Sequence, residues 1–242
     1  MVYPRRAQTC QHRAVRTDRN FGFIDLSGFT ALTEAEGDER AVSVLSSFRS
    51  IVRDVCSRRG VRVAKWLGDG AMLVTVEPTP LLAGTMEMLR AVEQAGLPTR
   101  LRAGASAGEV ILHEGDDYIG HAINVAARLC DMAPGGVIYA APTIVDALPK
   151  WGCVLSTDET VIRGLERPLP VSRIGLRPLE PPTSPDPVCG IPLTRLVAEE
   201  LVHDAFGQEV WFCSDSCRDT WERRPQPVAE GQGSLRMPLI GT

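Results

Sequence analysis

The sequence contains no long apolar stretch. None of its hydrophobic runs approaches the about 18 residues that a membrane-spanning helix needs, although 44% of its 242 residues are hydrophobic. Its first residues also lack the apolar segment of a secretory signal. They carry arginines instead: Arg5, Arg6, Arg13, Arg16 and Arg19. We therefore expect a globular chain in the cytoplasm that does not associate with a membrane.

The sequence also lacks a disulfide framework and a basic surface. Seven cysteines is an odd number, and without an export signal they indicate a reducing compartment, where working cysteines bind metal or carry redox chemistry. The formal net charge of −4 argues against nucleic acid as the main partner. Lysine is scarce, with only Lys65 and Lys150 against 24 arginines, so each is a candidate for a role that arginine cannot fill.

The predicted elements follow the order β-α-β-β-α-β, which is that of a ferredoxin-like α+β sandwich. The sequence Gly68-Asp69-Gly70 indicates a tight turn between two strands, and Gly60 ends the first helix. The buried face of that helix is predicted from apolar residues three or four apart: Val42, Leu45, Phe48, Val52 and Val55. The other elements are strands over 21–26, 61–67, 71–76 and 99–112, a helix over 79–95 and a shorter helix over 121–132.

Composition divides the chain into five parts. Five prolines between 177 and 187 indicate an extended, semi-rigid linker, and the polar C-terminus rich in Pro and Gly indicates disorder. The expected parts are a basic flexible arm over 1–16, the ferredoxin-like domain over 17–176, the Pro-rich linker over 177–184, a small cysteine-containing module over 185–225 and a disordered tail over 226–242.

Two aspartates are candidates for binding metal ions. Asp25 ends the first predicted strand, and Asp69 lies in the turn that opens the third. In a βαββαβ sheet these two strands are antiparallel neighbours, so both carboxylates are expected at one edge of the sheet. Carboxylates with no His or Cys nearby suit Mg²⁺ or Mn²⁺ carrying a polyphosphate. The alternative is that Asp69 is only a turn residue and Asp25 a helix cap.

The shorter helix presents two further polar side chains. Asn124 and Arg128 are four residues apart and share one face, while Ile123, Ala127 and Cys130 are expected to face the core. An arginine on that face suits negative charge that grows on a phosphoryl group, and an asparagine suits a sugar oxygen. The alternative is an ordinary exposed helix face.

Four spaced motifs contain these residues. They are Phe23-x-Asp25-Leu26-x-Gly28-Phe29-Thr30, Lys65-x-x-Gly68-Asp69-Gly70, Arg102-x-Gly104-x-x-x-Gly108-Glu109 and Asp117-x-x-Gly120-x-x-x-Asn124-x-x-x-Arg128. Together, in order and spacing, they resemble the catalytic domain of class III nucleotidyl cyclases over about residues 17–176. The resemblance implies the class III cyclase fold and an adenylate cyclase that converts ATP to 3′,5′-cyclic AMP and pyrophosphate.

The resemblance also implies how substrate and metal are bound. Asp25 and Asp69 would hold two Mg²⁺ or Mn²⁺ ions on the triphosphate. Lys65 and Asp117 would read the edge of the adenine, because guanylate cyclases of this family carry different residues at these two positions.

The remaining implied roles are catalytic. Asn124 would align the ribose, and Arg128 would stabilise the transition state as the ribose 3′-oxygen attacks the α-phosphorus. In this family the metal-binding aspartates come from one subunit and the other groups from its partner. The resemblance therefore implies a head-to-tail homodimer with two composite active sites.

The last part of the chain contains three of the seven cysteines. Cys213 and Cys217 are one helical turn apart, and a preceding hairpin can bring Cys189 to them. Three thiolates suit Zn²⁺ or Cu⁺, with His203 as a candidate fourth ligand. The alternative is that the cysteines are small apolar core residues.

The residues around these cysteines carry a second resemblance. The stretches Asp186-Pro187-Val188-Cys189-Gly190, Phe206-Gly207 and Trp211-Phe212-Cys213-Ser214-x-x-Cys217, with Trp221, are similar to a YHS domain, a small module associated with metal handling. Ile191 stands where methionine is common, and Phe206 and Trp211 replace the usual tyrosines, so an aromatic core is expected to remain. The adjacent domains suggest the hypothesis that this module regulates the cyclase.

Two other functions stay open at this point. One is a catalytically silent, dimeric sensor of nucleotide or metal that keeps only the cyclase scaffold, and the other is a guanylate cyclase. The intact motifs argue against the first, and Lys65 with Asp117 argues against the second. The sequence has neither the GxxxxGK[ST] loop of a P-loop enzyme nor the Gly-Gly-Asp-Glu-Phe turn of a diguanylate cyclase.

Overall fold

The computed structural model describes residues 15–113, 117–181 and 183–224. The chain divides into two compact units, Met1–Leu176 and Arg177–Thr242. This boundary coincides with the end of the domain expected over 17–176. Most of the expected arm over 1–16, and all of the expected tail over 226–242, lie outside the described residues.

The first unit alternates strands and helices. In chain order they are β1 (Val15–Ser27), α1 (Phe29–Glu36), α2 (Asp38–Arg59), β2 (Arg62–Leu67), β3 (Gly70–Thr75), α3 (Pro78–Gln94), β4 (Arg100–His113), β5 (Asp117–Ile119), α4 (His121–Met132), β6 (Ile138–Ala140), β7 (Gly152–Thr160) and β8 (Leu169–Leu176).

These strands form one sheet in the order β2-β3-β1-β4-β6-β8-β7, with β5 paired to β4. The four strands β2-β3-β1-β4, with α2 and α3 in their connections, confirm the expected ferredoxin-like βαββαβ fold. β1 is antiparallel to β3 and to β4, and Asp25 lies opposite Gly70 on one side and Arg102 on the other. Asp25, near the C-terminal end of β1, therefore lies between two neighbouring strands.

Helices cover both faces of this sheet. α3 packs on one face, where a Cβ added to Gly22 would lie 3.1 Å from Leu81 Cδ1. α4 packs on the other face, against a buried cluster that includes Phe21 and Met72. The opposite directions of Phe21 and Gly22 follow the two-residue period of a strand. Because both faces are covered, β3 is buried along its whole length.

The chain around the first helix differs from the sequence expectation. The predicted single helix is two helices, α1 and α2, because Gly37 between them has φ +83°, which helical backbone does not allow. The helix nevertheless ends at Gly60, as predicted. β1 is longer than the predicted strand over 21–26 and begins at Val15, since it pairs with β4 along its full length.

The buried face of α2 is also shifted at its beginning. Phe48, Val52 and Val55 are buried as predicted, but Val42 is 62% exposed. The face continues instead through Ala41 and Val44, which are both buried, while Leu45 is half-buried. The prediction followed residue size, whereas a small alanine also satisfies a close helix contact.

The second unit contains short elements. They are β9 (Ser184–Pro185), β10 (Pro192–Leu193), β11 (Glu200–His203), β12 (Glu209–Phe212) and α5 (Asp215–Glu222). β9 pairs with β10, and β11 pairs with β12. The expected linker over 177–184 is one residue too long, because Ser184 pairs with Leu193.

An aromatic contact lies at the centre of this unit. Phe212 is fully buried, and its ring centroid is 5.6 Å from that of Trp221. Ile191 is also buried. The expectation for Phe206 is wrong: its side chain is 61% exposed, because it lies in the turn between β11 and β12, where its N–H donates to the Asp204 carboxylate.

Within the part of the chain that the structure describes, no helix combines the length and apolarity needed to cross a bilayer.

Candidate active site and thiol cluster

The end of β1 and the turn between β2 and β3 bring two carboxylates together. Gly70 allows this approach, because a Cβ at that position would lie 2.6 Å from the Ile24 carbonyl oxygen and 3.2 Å from Asp25 Oδ1. Partial burial and the nearby charge of Asp25 raise the pKa of Asp69 above the ordinary value of 3.8. The neighbouring Arg102 guanidinium counteracts that rise.

Arg102 on β4 is the cationic partner of this pair of acids. Its Nε and Nη2 donate to Asp25 Oδ2 at 2.8 and 2.6 Å, and its Nη1 donates to the Asp131 carbonyl oxygen. Burial alone would lower the pKa of the Arg102 guanidinium, but the hydrogen bonds that it donates to Asp25 and the nearby negative charges together outweigh burial and raise that pKa. The site therefore holds two carboxylates and one compensating charge.

Lys65 and Asp117 form the second group. Lys65 Nζ lies 2.6 Å from Asp117 Oδ1, and the side chains are 48% and 46% exposed. The hydrogen bond from Lys65 is the main cause that lowers the pKa of Asp117 below its usual value of 3.8. A donor and an acceptor thus stand side by side, open to a ligand.

α4 carries the third group. Asn124 and Arg128 are exposed on one face, as predicted, and Arg128 Nη1 lies 3.5 Å from Asp131 Oδ2. Of the residues expected to face the core, Cys130 is buried, but Ile123 and Ala127 are only half-buried. The buried side of α4 is formed instead by Ala122, Val125, Ala126, Leu129 and Cys130.

Gly104 explains why α4 can lie so close to the sheet. A Cβ at this position of β4 would lie 2.3 Å from the Ala126 carbonyl oxygen and 2.3 Å from the Cys130 nitrogen. The glycine of the Arg102-x-Gly104 motif is therefore required by the contact between backbones that holds the helix carrying Asn124 and Arg128.

A surface cavity of about 440 Å³ opens beside these two side chains. Asn124, Arg128 and His121 line it from α4, and Arg163 and Gly164 line it from the segment between β7 and β8. Arg163 was not predicted from the sequence. The Arg-Gly pair within this loop was the available signal, but an isolated arginine among 24 carries little information.

Within one chain the aspartates do not line the cavity beside Asn124 and Arg128. Among the described residues, hydrogen bonds and ion pairs connect Asp25 to Arg102, Lys65 to Asp117 and Arg128 to Asp131. One further hydrogen bond, from Arg102 Nη1 to the Asp131 carbonyl oxygen, links the first group to the end of α4. The aspartates and the cavity are therefore separate surfaces of one chain, although Arg102 connects the elements that carry them.

The second unit gathers thiols around a buried carboxylate. Asp186, Cys189, Cys213 and Cys217 place their ligand atoms within 4.8 Å of one another. Cys213 Sγ lies 3.4 Å from Cys189 Sγ and 3.5 Å from Cys217 Sγ, which is well beyond the about 2.05 Å of a disulfide bond. The neighbouring thiols and burial raise the pKa of Cys189 strongly. The Cys189 thiol is therefore protonated at neutral pH when no cation is bound.

Asp186 organises this cluster. Its side chain is 1% exposed, and desolvation raises its pKa. Oδ1 accepts from the Val188 and Cys189 N–H groups, and Oδ2 accepts from the Cys213 N–H at 2.8 Å. The carboxylate also interacts with the Cys213 side chain, so it lies among the thiols.

The fourth position of the cluster differs from the one considered from sequence. His203 lies on β11, where it is exposed and pairs with Glu209, and it is outside the cluster. Asp186 was missed as a ligand, although it stands three residues before Cys189 in a turn. The Asp-Pro-x-Cys pattern was the available signal.

Comparisons with known proteins concern the first unit. No protein-family model matches the chain. An uncharacterized protein of Mycobacterium tuberculosis is 34% identical over 148 residues, which is 61% of this chain and 39% of that protein. A pH-sensitive adenylate cyclase of Mycobacterium tuberculosis is 32% identical over 126 residues, which is 52% of this chain and 31% of that protein. The chain thus spans about two fifths or less of these relatives' lengths.

Solved structures show the same fold. The adenylyl cyclase CyaB from P. aeruginosa matches with a TM-score of 0.58 and 19% identity, over 66% of this chain and 95% of that chain. The guanylyl cyclase Cya2 matches with a TM-score of 0.57 and 21% identity, over 68% of this chain and 95% of that chain. The first unit therefore has the fold of the class III nucleotidyl cyclase catalytic domain, which confirms the resemblance carried by its motifs.

Proposed function

We propose that this protein is an adenylate cyclase that forms 3′,5′-cyclic AMP and pyrophosphate from ATP. The Lys65–Asp117 pair carries the proposal: it offers one donor and one acceptor, 2.6 Å apart and half-exposed. Adenine presents a ring nitrogen that accepts and an amino group that donates. Relatives named adenylate cyclase support this choice of base.

Guanylate cyclase activity is the second candidate. Guanine also presents one acceptor and one donor along the same edge, but in the reverse order. The fold is shared by adenylyl and guanylyl cyclases, so only the placement of Lys65 and Asp117 distinguishes the two bases. GTP is therefore tested beside ATP.

Asp25 and Asp69 fit a divalent cation. Both carboxylates supply hard oxygen ligands, and a positive ion would offset the burial and the nearby charge of Asp25 that raise the pKa of Asp69. Mg²⁺ or Mn²⁺ held there neutralises charge on the triphosphate when bound. For Asp25 to bind such an ion fully, its two hydrogen bonds from Arg102 must be weakened or shared.

The exposed face of α4 would bind the ribose and the reacting phosphoryl group. Asn124 would orient the ribose, so that its 3′-oxygen attacks the α-phosphorus while the bond to pyrophosphate breaks. Arg128 would stabilise the charge on the phosphoryl oxygens, and Arg163 in the same cavity adds a second guanidinium. Little covalent work falls to the protein, so positioning and charge supply the rate.

We propose that the complete site forms between two copies of the chain. Neither Asp25 nor Asp69 lines the cavity beside Asn124 and Arg128 within one chain, so one copy would supply the two aspartates and the other Lys65, Asp117, Asn124 and Arg128. A head-to-tail pair with twofold symmetry then has two such sites.

The test is formation of cyclic nucleotide by the purified full chain with Mn²⁺ and either ATP or GTP. We expect cyclic AMP from the wild type and at least a 100-fold lower rate for Arg128→Ala. Arg167→Ala, at another described arginine, is the matched control and keeps the wild-type rate. Mixing Asp25→Asn with Arg128→Ala should restore up to one quarter of the activity, because one mixed dimer site is intact.

Outcomes that contradict the proposal are distinct. Cyclic GMP as the main product would favour the guanylate cyclase. Nucleotide binding without any product would favour the silent sensor. Failure of the two inactive variants to complement each other would oppose the shared site.

We propose further that the second unit binds a soft metal ion through Cys189, Cys213, Cys217 and Asp186. Three sulfur atoms and one carboxylate oxygen within 4.8 Å of one another support a four-coordinate site that suits Zn²⁺, and three thiolates also suit Cu⁺. Metal binding would displace the thiol protons and offset the cost of burying the charge of the carboxylate. In this proposal the metal-loaded unit regulates the cyclase.

Metal stoichiometry of the full chain tests this site. We expect one Zn²⁺ per chain in the wild type and less than one tenth of that in Cys213→Ser, whereas Cys153→Ser in the first unit keeps the full amount. Equal metal content in both variants would overturn the site. A cyclase rate that does not respond to Zn²⁺ in the wild type would overturn only the regulation.

A further inference from the structure

The hairpin formed by β4 and β5 reaches across the sheet. Among the described strands, β5 forms main-chain bonds with β4, and Tyr118 lies opposite Leu112. β2 is three strands away from β4 in the sheet order. Nevertheless side chains of β5 contact β2, because the hairpin lies over the face that α4 covers and Tyr118 packs on the buried cluster there.

A β-bulge in β2 aims two cations at this hairpin. Arg62 lies opposite Val74 and Lys65 opposite Met72, with the irregularity between Val63 and Lys65. Val74 and Met72 point to the same face, so the extra residue brings Arg62 and Lys65 to that face as well. Without the bulge, residues three apart on a strand would point to opposite faces.

Tyr118 is held from two sides. Its ring makes an edge-to-face contact with Phe21, at 5.4 Å between centroids and 69° between planes. Arg62 Nη2 donates to Tyr118 Oη at 3.0 Å, and the same guanidinium lies 5.7 Å from the ring centroid. The tyrosine therefore cannot shift without breaking contacts to β1 and β2.

Lys65 and Asp117 form a second link between β2 and β5. Within the part of the chain that the structure describes, one half-exposed ion pair joins the two side chains, and such pairs are weak and screened by salt. The main-chain bonds of Asp117 run to β4, not to β2. The contacts of Tyr118 with Arg62 and Phe21 are therefore additional links that hold β5 beside β2 and β1.

We infer that Arg62 and Tyr118 are positioning residues that fix the spacing of Lys65 and Asp117 and thereby set the preference for adenine over guanine nucleotides. The inference rests on the proposed function. Adenine and guanine place a donor and an acceptor on the same edge in opposite order, so discrimination needs both protein groups at fixed positions. A loosened hairpin lets the pair accept either order.

Tyr118→Phe is the sharpest variant, since it keeps the ring against Phe21 and removes only the hydroxyl. We expect the ratio of kcat/KM for ATP to that for GTP to fall about 3- to 10-fold, the equivalent of one hydrogen bond. KM for ATP should rise while kcat at saturation changes less than twofold. Arg62→Met should have the same effect, and the double variant should add little.

Tyr139→Phe is the matched control. Tyr139 lies on β6, and its hydroxyl makes no hydrogen bond among the described residues, so the base preference should stay that of the wild type. Thermal unfolding of all variants separates a loss of specificity from a loss of fold. An unchanged ratio in Tyr118→Phe and in Arg62→Met would overturn the inference.

The result remains informative if the proposed function fails. When the wild type forms no cyclic nucleotide, binding of ATP and GTP with Mn²⁺ is measured by calorimetry on the same proteins. A wild-type preference for ATP that both variants lose supports the inference. Equal affinities of the wild type for the two nucleotides, or a preference that the variants keep, contradict it.

Discussion

The two units of this chain gather reactive side chains in different ways. In the first unit, a covered sheet and α4 form the core, and the polar groups stand at the ends of elements where they are half-exposed. In the second unit, the thiols and Asp186 are themselves much of the core. We therefore expect site variants of the first unit to change chemistry without changing the fold, whereas site variants of the second change both.

Gly104→Ala should give the largest effect, because Gly104 lies in the core of the first unit and also supports the helix that carries Asn124 and Arg128. The added methyl would meet backbone atoms of α4 at 2.3 Å, which neither element can avoid without moving. We expect a loss of about 3 kcal/mol in the free energy of unfolding. Chemical denaturation followed by circular dichroism measures it.

Gly108→Ala is the matched control for this prediction. It lies on the same strand, but its Cβ would approach only the Ala122 side chain, at 3.3 Å. Its cost should be below about 1 kcal/mol. Equal losses of unfolding free energy in the two variants would contradict the close backbone contact between α4 and Gly104.

Asp69→Asn should lower the activity of the first unit without lowering its stability. Removing one carboxylate of the candidate metal pair should lower kcat/KM about 100-fold. The folded-state pKa of Asp69 is raised, so its ionised form is disfavoured in the native protein, and the amide should not lower the free energy of unfolding at neutral pH. Activity and unfolding are measured on one preparation, the latter with chelator, and a large loss of stability would contradict the prediction.

Asp186→Asn should lower the stability of the second unit, because this candidate ligand is also a core residue. The amide nitrogen would face the Cys213 N–H, so a buried donor loses its acceptor. We expect a local loss of about 1–3 kcal/mol. Hydrogen exchange should report faster exchange over 186–217 and unchanged exchange in β1 and β3. Protection that stays equal in both units would contradict it.

The smallest effect concerns pH and the exposed Lys65–Asp117 pair. The folded-state pKa of Asp117 is lowered, so the stability from this pair is present above the ordinary value of 3.8 and is lost as the pH falls through the lower folded-state value. The stability difference between the wild type and Asp117→Asn should therefore shrink in acid. A difference that grows as the pH falls would contradict this sign.

The strongest sequence predictions concerned periodic elements and tight turns. The βαββαβ order, the turn at Gly68-Asp69-Gly70 and the exposed face of α4 were each readable from local patterns. The errors came from tertiary context. Val42 follows the apolar spacing of α2 but is exposed, and Ile123 follows the polar–apolar division of α4 but is only half-buried. Where a helix face begins and ends depends on what packs against it.

The candidate site divides in the same way. Asp25, Asp69, Lys65, Asp117, Asn124 and Arg128 were found through spaced motifs, and their roles remain predictions. Arg163 and Asp186 were missed, because a single arginine in a loop carries little information and the Asp-Pro-x-Cys pattern alone does not show that the aspartate reaches the other two cysteines. Each becomes visible only when distant segments meet.

The sequence by itself determined which side chains are available and which elements carry them, because hydrophobic period, glycine and proline act over a few residues. Only the tertiary structure decided which of them meet: Arg102 with Asp25 across β1 and β4, Tyr118 with Arg62 across the sheet, and Asp186 with three thiols. The physical reason is that these contacts depend on register, on a β-bulge and on close backbone packing, which are properties of paired segments and not of any one of them.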